Sequence, residues 1–74
     1  MKTYNQYRIR FEYPNGDKYY LFRPIRGIKI TMCKYLNDSF IWNTKKAAER
    51  NVTELLRQGM KSVCLERIVK EKRY

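Results

Sequence analysis

An alternation over Tyr7 to Tyr13 that runs into Pro14-Asn15-Gly16-Asp17 limits the fold of this chain more than any other feature. Tyr7, Ile9, Phe11 and Tyr13 fall on one side of a period of two, and Arg8, Arg10 and Glu12 on the other, the mark of a strand with two unlike faces. Asn-Gly accepts positive φ cheaply, so the run Lys18 to Arg23 is predicted to return antiparallel and complete a hairpin over 4–23. With Asn15-Gly16 as a two-residue loop, Phe11 faces Tyr20 and Ile9 faces Phe22, while Arg10 faces Leu21, Glu12 faces Tyr19 and Arg8 faces Arg23. The expectation is one apolar face and one basic face that carries Arg8, Arg10, Tyr19, Leu21 and Arg23.

Pro24 and Gly27 mark a bend. Ile28, Ile30 and Met32 then alternate with Lys29, Thr31 and Cys33, which predicts a third strand over about 28–36, closed by the turn residues Asn37-Asp38-Ser39. Phe40-Ile41-Trp42 reads as a brief strand leading into a helix over about 44–58, with Asn43 or Thr44 as N-cap. Ala48, Val52, Leu55 and Leu56 share one helical stripe, and Gly59 fits the position that stops the helix. Arg50 with Glu54 and Lys46 with Glu49 are spaced as ion pairs. A last strand over about 62–69 follows, and the charged residues 70–74 are expected to fray. The reading is a single α+β domain over 1–74, an antiparallel three- to four-stranded sheet with one helix on its apolar face, in the order β-β-β-α-β.

Composition removes several classes. There is no histidine, so no imidazole base or ligand is available, and the three glycines form no phosphate-binding loop. The seven carboxylates have no spacing that suggests a metal pair or an acid/base couple. No enzyme activity, metal or cofactor is expected. Cys33 and Cys64 sit in apolar strand-like runs and read as free small hydrophobes, with a single disulfide between them as the alternative. No apolar stretch approaches the roughly 20 residues that span a bilayer, and the N-terminal run is charged rather than signal-like, so a cytoplasmic protein without membrane contact is expected. Trp42 reads as core rather than as an interface anchor.

The stretch Phe40-Ile41-Trp42-Asn43-Thr44-Lys45-Lys46-Ala47-Ala48-Glu49 resembles the strand-to-helix junction of the arm-type DNA-binding domain of tyrosine integrases, and of small sheet-plus-helix proteins of Gram-positive phages and mobile elements. The resemblance implies a sheet whose outer face is presented to the DNA major groove. Unlike that family, this chain has a strand-like run after the helix, and no integrase activity is expected.

Seventeen Lys+Arg against seven Asp+Glu leave a net charge of +10, a field that attracts any polyanion. Arg8, Arg10, Arg23 and Arg26 are the expected phosphate contacts, with Lys29 nearby and Tyr19 as a stacking surface. Lys45, Lys46 and Arg50 make an auxiliary patch on the helix, or an ordinary solvated face. The function expected is nucleic-acid binding, DNA ahead of RNA, by a monomer or small homo-oligomer. The alternative is a phage-type protein-binding inhibitor of a host factor in replication, transcription or defence (a CRISPR effector, for example), its partner an acidic or nucleic-acid-bound protein.

Overall fold

The computed structural model describes residues 2–72. The strands are β1 (Lys2–Glu12), β2 (Lys18–Leu21), β3 (Met32–Cys33) and β4 (Val63–Lys72), and the helix is α1 (Lys45–Arg57). They form a four-stranded antiparallel sheet in the order β3-β2-β1-β4, with α1 on one face, so the expected α+β architecture and its β-β-β-α-β order are present.

The hairpin forms, but one residue out of the expected register. Tyr13 N–H donates to Asp17 O at 2.9 Å and Gly16 N–H donates to Tyr13 O at 2.9 Å, which makes Pro14-Asn15-Gly16 a three-residue loop with Gly16 at φ +92°. Proline is the reason. In a two-residue Asn-Gly loop Pro14 would occupy the closing pair, where a backbone N–H is required and proline has none. As the second residue of a type I turn it gives up nothing, and Gly16 absorbs the left-handed step that follows.

A slip of one residue moves every β2 side chain to the other face. Phe11 now stands opposite Tyr19, and Arg10 opposite Tyr20. Leu21, expected among the arginines, is fully buried with Ile9 and Phe11, and Phe22, expected in the core, is exposed. Tyr19 leaves the arginine face and packs on the core side, edge-on to Tyr13 at 5.5 Å.

β2 stops at Leu21 because another segment takes its place beside β1. Trp42 N–H donates to Tyr7 O and Tyr7 N–H to Trp42 O, both at 2.8 Å, and Phe40 N–H donates to Leu21 O at 2.9 Å. Residues 22–39 are therefore an excursion that leaves the side of β1 at Phe22, carries the short edge strand β3, and returns at Phe40. Within it the expected third strand shrinks to Met32–Cys33, and Leu36–Asp38 is a turn of 3-10 helix.

Thr44 is the N-cap of α1, its hydroxyl accepting from Ala47 N–H at 3.4 Å, while the Asn43 side chain accepts from Gln6 instead. At the other end Met60 N–H donates to Leu55 O at 3.0 Å and Gly59 N–H to Leu56 O at 3.1 Å, with Gly59 at φ +92°. These are the paired bonds of a Schellman stop, and Met60 packs on the core as that motif favours. Ala48 and Leu55 are buried, but Leu56, expected on the same stripe, is exposed. The register of β1 with β4 runs unbroken from Lys2↔Lys72 to Phe11↔Val63, so Lys70–Lys72 of the expected fraying tail belong to the sheet. Residues 73 and 74 lie outside the described residues.

The helix also tethers the excursion. Asn51 Oδ1 accepts from Ile25 N–H at 3.0 Å while its Nδ2 donates to Ala47 O, and Gln58 Nε2 donates to Gly27 O at 2.8 Å. Asn51→Ala leaves the half-buried Ile25 amide without a partner and should cost about 1–3 kcal/mol. Amide exchange at 24–30 should accelerate while β1 and β4 stay protected; equal acceleration throughout would mean that Asn51 supports the whole fold and not the excursion.

Candidate nucleic-acid interface

The outer face of the sheet holds the first two expected phosphate contacts, and both are committed elsewhere. Arg8 stands opposite Glu66 and Arg10 opposite Cys64. Glu66 grips both guanidinium groups, Oε2 at 2.5 Å from Arg8 Nε and Oε1 at 2.5 Å from Arg10 Nη1, and Glu12 lies 3.7 Å from Arg10 Nη2. Arg8 also lies over the Tyr20 ring at 5.9 Å. The two arginine side chains are only 22% and 26% exposed. Two cations against two carboxylates leave no net charge at the centre of this face. The Arg10 Nε beneath is buried and has no hydrogen-bond partner among the described residues, while Glu66 occupies the outward nitrogens that an incoming phosphate would use.

Cys33, Tyr20, Arg10 and Cys64 form one row across this face, which places the two cysteines on opposite edges of the sheet. Three strand spacings of about 4.8 Å separate them, so the disulfide alternative fails and both are free. Burial first, and then Asp38, pushes the Cys33 thiol above its usual range and keeps it protonated.

Among the described residues, one continuous block of unpaired charge spans β2 and the excursion. Between Lys18 and Asn37 the sequence has Lys18, Arg23, Arg26, Lys29 and Lys34 and no carboxylate. Arg26 and Lys29 are bridge partners across a two-residue turn, with Lys29 N–H donating to Arg26 O at 3.1 Å and Gly27 at φ +60°. Glycine at the first central position is what such a turn requires. The turn sets two like charges opposite each other, an arrangement that costs a few tenths of a kcal/mol until an anion joins them.

Arg23, Arg26 and Lys29 line one cleft of about 610 Å³ with Phe22, Pro24, Thr31 and Phe40. Phe22 and Phe40 mark the two points where the chain leaves and rejoins the side of β1. The Arg23 guanidinium lies 4.9 Å from the centre of the Phe22 ring. Among the described residues none of the three cations has a carboxylate within ion-pair distance. The cleft thus offers guanidinium forks, an ammonium and two aromatic surfaces, the groups that bind phosphates and stack on bases.

Of the nine expected site residues the fold gathers Arg23, Arg26 and Lys29 in this cleft, ties up Arg8 and Arg10, and turns Tyr19 to the core side. On the helix Lys45 pairs with Glu49 at 3.7 Å, and Arg57 pairs with Glu54 through bonds of 2.9 and 2.6 Å, in place of the expected Lys46–Glu49 and Arg50–Glu54 pairs. Arg57 first, and Gln58 second, hold the Glu54 carboxyl below the usual carboxylate range. Lys46 and Arg50 share a shallow depression with Glu49, Thr53 and Glu54. Phe22 and Phe40 were not among the expected site residues. The carboxylate-free run between Lys18 and Asn37 signals the cations of this cleft, but no sequence signal sets Phe40 beside them, because that contact depends on the return of the chain to Leu21.

In comparisons with known proteins, no protein family, curated protein or solved structure matches the chain.

Proposed function

We propose that this protein binds nucleic acid through the cleft of the 22–39 excursion, with Arg23, Arg26 and Lys29 on the phosphates. The observation that carries the reading is the like-charge pair Arg26–Lys29, fixed across a tight turn beside Arg23 with no carboxylate of the described residues in ion-pair reach. Phe22 and Phe40 supply the apolar surface for a base or sugar, and Lys46 and Arg50 add a weaker attraction from the helix. Arg8 and Arg10 take no part, because a phosphate would first have to displace Glu66. The likeness of the Phe40–Glu49 junction to integrase arm domains and small phage proteins supports a DNA ligand and a mobile-element origin, with contacts shifted from the sheet face to its end.

The test is fluorescence anisotropy with labelled duplex DNA, single-stranded DNA and RNA over a salt series. Three phosphate contacts should give a slope of log K against log[salt] of about −2.7 on duplex, or about −2.1 on a single strand. Binding that persists at physiological salt and favours one ligand supports the proposal. Weak binding, indifferent to ligand and gone by physiological salt, overturns it.

A second reading, a protein-binding inhibitor of a host factor, has its own observation. Ile28 at the tip of the Arg26–Lys29 turn is 91% exposed, and Tyr35 and Leu36 are exposed on the same excursion. Apolar and aromatic groups set beside arginine resemble protein interface anchors. That reading requires a protein complex with little salt dependence that is lost on Ile28→Ser.

A further inference from the structure

β4 is a ten-residue edge strand, hydrogen-bonded to β1 on one side. Glu12 N–H donates to Ser62 O at 3.1 Å, and this sets the parity of the ladder: even-numbered residues of β4 turn their backbone groups toward β1. Val63, Leu65, Arg67, Val69 and Glu71 therefore aim their N–H and C=O groups away from the sheet. Natural edges are blunted by proline, bulges, short length or charged side chains, and β4 uses only the last of these, with Arg67, Lys70 and Glu71. β4 has no proline or glycine, and its register with β1 is unbroken. Val69 is 58% exposed, and its partner Asn5 is exposed as well, so this end of the ribbon is open.

The charge pattern selects the occupant. When a second copy pairs antiparallel about Val69, valine faces valine and Arg67 of each copy faces Glu71 of the other, twice by symmetry. Centring on Arg67, Lys70 or Glu71 sets like charges face to face. Centring on Ile68 needs Glu66 for Lys70, and Glu66 already holds Arg8 and Arg10. Only the Val69 register uses backbone groups that are free, matches opposite charges and covers the exposed valine.

We propose that β4 is a homodimerisation edge, two copies pairing antiparallel about Val69 into one eight-stranded sheet with twofold symmetry. Its basis is independent of the nucleic-acid reading, because the cleft lies beyond β2, away from the β4 edge.

Sedimentation velocity over a concentration series should show the wild-type chain passing from 9.1 kDa to twice that mass. Val69→Pro removes an outward N–H that β1 does not use, so it should abolish the dimer with the circular dichroism spectrum unchanged. Glu71→Arg should weaken dimerisation about tenfold by facing Arg67 with a like charge, and Arg67→Glu combined with Glu71→Arg should restore it. The charge exchange decides the matter even if the proline variant does not fold. A wild-type chain that stays monomeric up to about 200 μM, or a double variant no better than Glu71→Arg alone, overturns the proposal.

Discussion

Leu55→Ala should destabilise the protein by about 2–5 kcal/mol, the usual range for emptying a fully buried leucine site. A 74-residue domain has roughly 4–11 kcal/mol of stability in all, so this one change removes a large share of it and lowers Tm by tens of degrees. The size of the effect follows from the position of Leu55. It is 0% exposed against Ile9, Phe11 and Leu21, and its carbonyl also receives the Met60 N–H that closes the helix stop. Leu56→Ala is the matched control. The same helical stripe offers both residues to the core, yet Leu56 is 55% exposed and its truncation should change stability by no more than about 0.5 kcal/mol. Urea denaturation followed by helical circular dichroism separates the two. Equal losses would place the helix one residue further round than described.

The second large effect concerns binding. Arg23→Gln, Arg26→Gln and Lys29→Gln together should flatten the salt slope on duplex DNA by about 2.7 and weaken binding on the order of a hundredfold at physiological salt. Stability should stay within about 0.5 kcal/mol, because these side chains are exposed and pair with no carboxylate among the described residues. Arg8→Gln with Arg10→Gln should do the reverse. The slope stays as it is, while stability falls by about 1–3 kcal/mol because Glu66, only 20% exposed, loses both partners. A slope that flattens in the sheet-face pair and holds in the triple variant would return the interface to the sheet. The contrast depends on net local charge and not on the number of arginines: the Arg8–Arg10 cluster has two cations and two carboxylates, the cleft three cations and none among the described residues.

Local rules made much of this chain readable. The alternation from Tyr7, the helix between Thr44 and Gly59, its caps and the order of elements all follow from contacts within a few residues, and these the sequence displays directly. The hairpin register was also written there, in Pro14, whose missing N–H outweighs the preference of Asn15-Gly16 for a two-residue loop. What sequence position could not show is which distant groups meet. Glu66 neutralises Arg8 and Arg10 from 58 and 56 residues away, because β4 returns antiparallel along β1. Phe40–Trp42 displaces the end of β2 because Tyr7 bonds to Trp42. Asn51 and Gln58 reach from the helix to hold the excursion at Ile25 and Gly27. The sequence by itself determined that the chain is basic and folds as a small sheet with one helix. Tertiary pairing decided which of its cations remain free, since a charge is spent or spared only by what packs beside it.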